Sequence, residues 1–414
     1  MKTVGIIAEY NPFHNGHAYQ IAKAKEVTGA DYCIVVMSGD FVQRGAPALM
    51  NKYLRAECAL NSGADIVLEL PVCYALSSAE YFASGAVALL DKLGVTDTLC
   101  FGSECGDIGL LSEFASQLLS ESKKFKSVLN LHLKSGISYP NARNMALQAS
   151  APHLSAHIGV MSNPNNILGI EYCKAIARRT SSIKPYTIHR TGASYHDACL
   201  DAGYSSALAI RSALAATRSL SSIQDQVPAS AYELMESHYG IDYPIVADDL
   251  SVLLHYQLLS ELSEGYTCHP DIDQKLSDRI VKMLPQYRDF HSFCELLNTK
   301  NRTYTRIARS MMHILLHLQR EELAAYCRED YIFYARMLGF RKNARPLLSA
   351  IKEKSAIPLI SKLADADALL TPMGREMLSK DIFASHIYQM ATQHKFQTAS
   401  LSENNEYKRQ MVRV

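Results

Sequence analysis

Residues 3–27 read TVGIIAEYNPFHNGHAYQIAKAKEV, and this stretch decides how the first part of the chain folds. The apolar run Val4–Ala8 predicts a buried strand, and His17–Val27 is compatible with a helix. His14 lies between these two elements, and His17, three positions later, lies at the start of the second. The stretch therefore predicts a strand, a tight turn, and a helix whose start carries two imidazoles.

The same alternation continues through the first hundred residues. Further apolar runs predict strands at Tyr32–Met37, Ile66–Leu70 and Thr98–Phe101. Between them, helix-compatible stretches occupy Lys52–Asn61 and Ala79–Leu93. Short apolar strands that alternate with helices indicate βαβ units and a parallel sheet covered on both faces. We therefore predict an α/β fold of Rossmann-like type, with a ligand site where the loops at the carboxyl ends of the strands meet.

The remainder of the chain is more helical. A fifth strand is predicted at Tyr186–His189, after a helical insertion at about 108–180. Beyond residue 225 strand-like alternation disappears, and helices are predicted at Ser251–Leu262, Ile307–Leu323, Tyr331–Leu338 and Pro346–Lys354. The last dozen residues are polar and are expected to fray. A chain of 414 residues is too long to fold around one ordinary hydrophobic core. We therefore predict a domain at 1–225 and a mostly α-helical domain at 226–414.

Composition and charge indicate an ordinary globular protein. A hydrophobic content of 48%, a charged content of 20% and a formal net charge of +1 are typical of a globular protein without a strong overall field. The ten cysteines form no CxxC pair and no Cys/His cluster at zinc spacing. They predict reduced thiols in a cytoplasmic protein, and no metal site. Neither a signal peptide nor a membrane-spanning stretch is predicted.

The turn NPFHNGH has the features of a phosphate site. A helix N-terminus presents unsatisfied N–H groups and a partial positive charge, and it attracts anions. Gly16 allows a backbone or a ligand to approach closely. The imidazoles of His14 and His17 can donate hydrogen bonds to phosphate oxygens and stabilise charge that develops during attack on phosphorus. Surface or capping histidines, or metal ligands, are the alternative interpretations of the same pattern.

A second segment, SSALAIRSAL at Ser205–Leu214, closes the predicted α/β region. It resembles the second signature of the HxGH-type nucleotidyltransferases, in which hydroxyls and an arginine bind the β- and γ-phosphates. Ser206 and Arg211 match that signature, whereas Leu208 stands at the usual threonine position. An ordinary helix capped by Ser205 or Ser206 is the alternative.

Several longer motifs extend this resemblance from residue 1 to about residue 350. They are GIIAEYNPFHNGH, MSGDFVQRGAPA, GADIVLELPV, SAEYFASGAVALL, FGSE, NPNNILGIEY, HRTGASYHD and TYTRIARSMMHILL. The chain resembles the bacterial tRNA(Met) cytidine acetate ligases. The resemblance implies an enzyme that joins ATP and acetate into acetyl-adenylate with release of diphosphate. It then transfers the acetyl group to N4 of the wobble cytidine of elongator tRNA(Met), giving N4-acetylcytidine.

The resemblance also implies site residues. Catalysis is assigned to His14, His17 and Arg211. ATP binding is assigned to Ile7, Ala8, Glu9, Tyr10, Asn11, Pro12, Phe13, His14, Asn15, Gly16, His17, Ala18, Tyr19, Gln20, Gly102, Asn165, Arg190 and Ser206. Either Asn165 or Asn166 could contact the nucleotide, and Asn165 is preferred; a helix N-cap is an equally supported interpretation of Asn165. Mg²⁺ is expected with ATP, but no carboxylate ligand stands out in the sequence.

Two further sets of residues are assigned to the other substrates. Asp40, Arg44 and Lys52 are candidates for the acetate pocket or for the substrate base, and solvated loop charges are the alternative. Residues 121–190 carry ten Lys/Arg against two acids, and residues 301–350 carry nine against four. Basic side chains with interleaved tyrosines suit RNA, although solvated helix faces have the same composition. The predicted tRNA contacts are Arg302, Arg306, Arg309, Arg341, Lys342 and Arg345.

Two other functions remain open at this point. One is a nucleotidyltransferase that makes a dinucleotide or a CoA-type cofactor, in which AMP stays in the product. The other is a tRNA-binding protein that keeps the nucleotide fold but has lost catalysis. The matching residues His14, Gly16, His17 and Arg211 argue against the second alternative.

Overall fold

The computed structural model describes residues 1–190, 205–300, 302–397 and 405–414. The part of the HRTGASYHD motif that follows Arg190 lies outside these residues. Within the described chain, no helix combines the length and the apolar character needed to cross a membrane.

Strands from both ends of the chain build the central sheet. The strands are β1 (Thr3–Ala8), β2 (Tyr32–Ser38), β3 (Phe41–Val42), β4 (Ala46–Pro47), β5 (Ile66–Leu70), β6 (Thr98–Ser103), β7 (Lys184–His189), β8 (Ala335–Phe340), β9 (Leu359–Ile360) and β10 (Val412–Arg413). Their order across the sheet is β10-β8-β5-β2-β1-β6-β7, and β9 also pairs with β8. β3 and β4 form a separate antiparallel hairpin. All pairings between β5, β2, β1, β6 and β7 are parallel, so their carboxyl ends share one edge.

Helices cover both faces of this sheet and build most of the second half of the chain. They are α1 (Asn15–Thr28), α2 (Lys52–Asn61), α3 (Val72–Ala75), α4 (Ala79–Lys92), α5 (Ile108–Ser120), α6 (Lys123–Lys134), α7 (Tyr139–Ser150), α8 (Pro164–Arg178), α9 (Ala207–Thr217), α10 (Ala229–His238), α11 (Ser251–Ser260), α12 (Gln274–Met283), α13 (Phe290–Leu297), α14 (Tyr304–Leu315), α15 (Arg320–Arg328), α16 (Arg345–Lys354), α17 (Ala366–Leu369) and α18 (Pro372–Phe396). Short 3-10 helices occupy Pro152–Ser162, Leu220–Gln226, Ala247–Leu250, Leu284–Gln286, Lys342–Ala344 and Leu363–Asp365.

The α/β prediction for the first half is confirmed. Val4, Ile6, Val35 and Val67 have no exposed surface, because helices pack against both faces of the sheet. The predicted helix at Lys52–Asn61 has those bounds in the structure, and the helix after the first turn begins at Asn15. His14 caps this helix, so both imidazoles lie at its start.

Two expectations for the second half are wrong. A helix was predicted at Tyr331–Leu338, but Ala335–Phe340 form the strand β8. This strand runs antiparallel to β5 in the same sheet. Short apolar runs fit a buried strand or a buried helix equally well, and the open edge of β5 selects the strand. The C-terminal residues do not fray either, because Val412 and Arg413 pair with Gly339 and Phe340. The sheet therefore draws strands from both sides of residue 225, and the two-domain division stays a prediction.

A buried ionic network fastens the C-terminal segment to the sheet. The ammonium of Lys52, with no exposed surface, lies 2.9 Å from Glu69 Oε1, 3.2 Å from Glu406 Oε2 and 2.7 Å from Ser385 Oγ. Arg336, on β8, pairs with the same two carboxylates. Burial alone would raise the pKa of Glu406, but the two cations hold it at about 2. Four segments of the chain, which carry Lys52, Glu69, Arg336 and Glu406, therefore meet through buried ion pairs.

Removing the central cation should destabilise the protein. Lys52→Met keeps an unbranched, apolar side chain of similar length, but buried carboxylates lose a partner, which typically costs about 3–5 kcal/mol. We expect that loss in the free energy of unfolding, measured by urea titration with far-ultraviolet circular dichroism. The control is Lys352→Met at an exposed position on α16, with a change below about 0.5 kcal/mol. Equal urea midpoints for the two variants would contradict the role given to the network.

Candidate active site

A cavity of about 500 Å³ opens at the carboxyl edge of the parallel strands. Its wall is built from the turn after β1, the β3–β4 hairpin, the ends of β6 and β7, and the starts of α8 and α9. Fourteen of the predicted site residues line it: Ile7, Ala8, Glu9, Tyr10, Asn11, His14, His17, Gln20, Arg44, Gly102, Asn165, Arg190, Ser206 and Arg211. Other predicted residues are not part of its lining: Pro12, Phe13, Asn15, Gly16, Ala18, Tyr19, Asp40 and Lys52.

The turn between β1 and α1 is fixed by long-range hydrogen bonds. The side-chain oxygen of Asn11 accepts from the backbone N–H of Leu49 at 2.7 Å. The backbone carbonyl of Asn11 accepts from Arg211 Nη1 at 2.5 Å, which connects the turn to α9. Tyr10 is buried at φ +51°, a left-handed conformation that is uncommon for a non-glycine residue. The two ends of the predicted nucleotide region are thus in direct contact.

Backbone N–H groups determine which nitrogen of each imidazole carries the proton. Nδ1 of His14 accepts from the N–H of Gly16 at 3.1 Å, and Nδ1 of His17 accepts from the N–H of His14 at 3.3 Å. In a neutral ring the proton must then sit on Nε2. The rings stack with centroids 3.7 Å apart. The turn therefore offers a pair of adjacent Nε2–H donors.

The surroundings keep both rings neutral. Burial, reinforced by Arg190 and Arg211, lowers the pKa of His14 to about 3. Burial, His14 and Arg190 lower the pKa of His17 well below its ordinary value. The positive charge that faces the cavity at neutral pH consequently resides on the guanidinium groups. An anionic ligand here would meet two neutral donors beside fixed cations.

The opposite wall combines apolar and amide groups. Phe101, Leu168 and Tyr172 line it, and Gly102 faces the cavity beside Arg190. A Cβ on Gly102 would lie 3.1 Å from Arg190 Cγ, so a larger residue would crowd that arginine. The wall has the flat apolar surface and the polar rim that suit a nucleobase.

Glu104 holds the polar part of this wall in place. Its carboxylate accepts from Asn165 Nδ2 at 2.7 Å and from the N–H of Asn166 at 2.8 Å. It thereby occupies the N-terminus of α8, where a negative charge is favourable. Asn165 lines the cavity, while Asn166 is buried and accepts from the N–H of Cys105. No local pattern in the sequence identifies Glu104, because its role depends on α8, which starts 60 residues later.

Ser206 serves as the N-cap of α9. Its side-chain oxygen accepts from the N–H of Ala209 at 3.1 Å, as the capping interpretation predicts, and the residue also lines the cavity. Capping and ligand binding are therefore compatible at this position. Leu208, which replaces the usual threonine of the signature, lines the cavity as well.

Arg55, which no local pattern in the sequence identifies, holds the loops beneath the cavity together. Its guanidinium is fully buried and donates to the carbonyls of Glu9 (2.6 Å), Ser38 (3.0 Å), Met50 (2.9 Å) and Gly39. These carbonyls belong to the loop after β1, to the end of β2 and the residue that follows it, and to the segment before α2. From the sequence, an arginine in a helical stretch is expected at the surface, and nothing local distinguishes the buried Arg55 from such a residue.

The predicted substrate-pocket residues separate into two places. Arg44 lines the cavity, next to Gly45 of the β3–β4 hairpin. Lys52 lies in the buried network, and Asp40 accepts from the Lys52 backbone N–H at 2.8 Å and from Ser385 Oγ at 2.9 Å. Asp40 borders a smaller cavity of about 130 Å³ instead. The structure therefore brings Arg44 to the main cavity and keeps Asp40 and Lys52 out of it.

One predicted RNA segment lies beside the cavity. Gly45, at φ +76°, approaches α14 so closely that a Cβ would lie 2.2 Å from the backbone nitrogen of Arg309. Arg302 pairs with Asp273 at 2.7 Å, and Arg309 with Asp271 at 3.1 Å. α14 thus adjoins, at Arg309, the hairpin that forms the cavity rim, and acidic side chains orient Arg302 and Arg309.

The other predicted RNA segment lies at the opposite edge of the sheet. Because β8 is antiparallel to β5, the residues after β8 lie at the amino ends of the parallel strands. The N–H of Arg341 accordingly donates to the carbonyl of Asp65, which precedes β5. Lys342 and Arg345 are exposed there. The structure does not bring this segment to the cavity.

Comparisons with known proteins show which family the chain belongs to. The HIGH Nucleotidyl Transferase family model matches residues 1–404. The chain is 38% identical to the tRNA(Met) cytidine acetate ligase of Acetivibrio thermocellus, with 94% of this chain and 95% of that protein covered. The corresponding protein of Alkaliphilus metalliredigens is 37% identical, with 95% of each chain covered. This chain belongs to the tRNA(Met) cytidine acetate ligase family.

Solved structures extend the likeness to the whole fold. The crystal structure of apo Thermotoga maritima TmcAL superimposes with a TM-score of 0.92 at 30% identity, and all of both chains is covered. The crystal structure of Thermotoga maritima TmcAL bound with alpha-thio ATP gives 0.87 at 31% identity, with 95% of each chain covered. The resemblance drawn from the sequence motifs is therefore confirmed.

The neutral state of the imidazoles has a measurable pH dependence. Because the pKa of His14 falls to about 3 on folding, its ring should stay neutral and Nε2-protonated at pH 5, where the ring in unfolded protein is charged. The unfolded chain then binds more protons, so the free energy of unfolding should fall as the pH drops from about 6.5 toward 3.

Nuclear magnetic resonance of ¹⁵N-histidine-labelled protein tests this state. Signals are assigned with His14→Gln and His17→Gln, and the same sample in urea provides the unfolded reference. Two rings that become doubly protonated above pH 5.5 in the folded protein would contradict the assignment.

Proposed function

We propose that this protein is an ATP-dependent tRNA(Met) cytidine acetate ligase. In this proposal it joins acetate to ATP as acetyl-adenylate and transfers the acetyl group to N4 of the wobble cytidine of elongator tRNA(Met). The observation that carries the proposal is the pair of neutral Nε2–H donors beside Arg211 and Arg190, in a nucleotide-sized cavity of a family member. Acetate, tRNA and the cytoplasmic location are inferred from the family.

We assign ATP one orientation in the cavity, from the residues that line it. The triphosphate lies at the start of α1, with His14 and His17 donating from Nε2 and Arg211 opposite them. Ser206, at the N-terminus of α9, faces the β- and γ-phosphates. The base lies against the wall of Phe101 and the side chain of Asn165, which offers both a donor and an acceptor.

The first step joins acetate to the α-phosphate. A carboxylate oxygen of acetate attacks the α-phosphorus, the bond to the bridging oxygen breaks, and diphosphate leaves with the electron pair. His14, His17 and Arg211 stabilise the charge that accumulates on the transferred and departing phosphate oxygens. Arg44, on the hairpin at the cavity rim, is the cation that we assign to the acetate carboxylate.

A divalent cation fits beside the triphosphate. Among the described residues that line the cavity, Glu9 is the carboxylate, and its Oε1 accepts from the N–H of Gln43 at 2.8 Å. Mg²⁺ commonly takes one or two carboxylates together with phosphates and water. We therefore assign Glu9 as the protein group that would hold Mg²⁺ with ATP, where the ion would neutralise phosphate charge.

The second step requires tRNA at the cavity rim. The cytidine N4 attacks the acetyl carbonyl carbon, the bond to the AMP oxygen breaks, and N4 loses a proton as AMP leaves. Arg302 precedes α14, while Arg306 and Arg309 lie in its first two turns. Because α14 adjoins the hairpin, phosphates bound to these arginines would bring a splayed anticodon base to the rim. Asp271 and Asp273 orient these arginines, and phosphates would compete with them for the same N–H groups.

Two classes of variant should separate the two steps. His17→Ala removes a donor to the phosphates, so acetate-dependent ATP–diphosphate exchange should fall by roughly 10²–10³. Arg302→Ala/Arg306→Ala should leave that exchange within about twofold but reduce acetylation of elongator tRNA(Met) and flatten its salt dependence. Exchange is followed with labelled diphosphate, and tRNA nucleosides are quantified by mass spectrometry.

Lys352→Ala, at an exposed position away from the cavity lining, is the matched control and should change neither readout. A label on the α-phosphate of ATP should appear in free AMP. If it remained in a dinucleotide product, the nucleotidyltransferase alternative would replace the ligase. If no tRNA nucleoside gained an acetyl group with ATP and acetate present, the proposal would be wrong.

A further inference from the structure

A second cluster of reactive side chains lies outside the cavity. Glu261 follows α11, and Cys268 and His269 lie in the loop that leads to α12. Their ligand atoms, a carboxylate oxygen, a sulfur and an imidazole nitrogen, all lie within 4.8 Å of one another. None of the three residues lines the cavity assigned to ATP.

The ring of His269 is held with one nitrogen directed at the cluster. Nδ1 lies 2.8 Å from the backbone carbonyl oxygen of Leu318, so Nδ1 carries a proton and donates it. Nε2 lies 2.7 Å from Glu261 Oε2, which is also an acceptor. A neutral ring has only one N–H, so the second contact requires either a second proton or a cation between the two acceptor atoms. An Nδ1–H that donates to a carbonyl is the usual support of a metal-binding histidine.

The carboxylate of Glu261 is supported in a similar way. Its Oε1 accepts from Gln257 Nε2 at 2.6 Å and lies 3.5 Å from His317 Nδ1. The other oxygen remains directed at His269. Two of the three candidate ligands are therefore oriented by neighbours outside the cluster, while Cys268 is exposed and gives access from solvent.

We propose that Glu261, Cys268 and His269 form a binding site for a divalent transition metal of the zinc type. Thiolate and imidazole favour zinc and its neighbours over Mg²⁺, which prefers six oxygen ligands. Ligand distances of about 2.0–2.3 Å in a tetrahedral site place donor atoms roughly 3.3–3.8 Å apart. A bound ion would therefore separate His269 Nε2 from Glu261 Oε2, which now lie 2.7 Å apart, and a water molecule would supply the fourth ligand. The thiol of Cys268 loses its proton on binding.

The metal would fasten a loop that supports the helix assigned to tRNA. Arg320 Nη2 donates to the backbone carbonyls of His269 (3.3 Å) and Ile272 (2.5 Å). The carboxylate of Asp271, in the same loop, accepts a hydrogen bond from Nε of Arg309 on α14. The metal would therefore stabilise the loop that supports α14. The spacing of six residues between Glu261 and Cys268 matches no familiar zinc pattern, so the sequence analysis predicted no metal.

Cobalt titration of the chelator-treated full-length protein tests this site. Addition of Co²⁺ should produce a near-ultraviolet thiolate-to-cobalt absorption and intense visible bands of a four-coordinate ion, and equimolar Zn²⁺ should abolish both. Cys268→Ser should remove the near-ultraviolet absorption, and His269→Gln should weaken binding at least tenfold. Cys327→Ser, which changes a half-buried thiol outside the cluster, is the control and should leave the spectrum unchanged.

Two results would overturn the proposal. One is a weak spectrum typical of six-coordinate cobalt with wild-type protein. The other is thiolate absorption that persists in Cys268→Ser. Cys268 is exposed, so its replacement should leave the far-ultraviolet circular dichroism unchanged, and that measurement is made on each variant.

Discussion

Two backbone N–H groups set the chemistry of the whole cavity. By donating to Nδ1 of His14 and His17, they commit both Nε2 protons to the space in front of the first helix. The turn can hold this geometry because Arg55 and Arg211 fasten its carbonyls to α2 and α9. Every other assigned contact with the nucleotide depends on that turn, since it fixes where the polyphosphate lies.

Neutral and charged side chains have different roles in the cavity. Burial keeps the imidazoles neutral, so they serve as oriented donors, while Arg190 and Arg211 supply fixed positive charge. Donors that are already aligned need little rearrangement when charge develops on phosphate oxygens. A bound polyphosphate would also raise the pKa of both rings, which would strengthen their hydrogen bonds as negative charge accumulates.

The sequence predicted what local patterns specify. The turn after β1 was predictable because strand, glycine, imidazoles and helix are neighbours in the chain. β8 was not, since only the open edge of β5 selects a strand over a helix. The placement of Lys52 was equally hidden, because its partner Glu406 lies 354 residues away. The functions of Arg55 and Glu104 also depend on loops that meet only after folding.

The position of bound nucleotide tests the account most directly. In a crystal of this protein with a non-hydrolysable ATP analogue, we expect phosphate oxygens within about 3.2 Å of Nε2 of both His14 and His17. The adenine should lie against Phe101, near Asn165. An analogue that binds elsewhere, or phosphates that face away from the two imidazoles, would contradict the account.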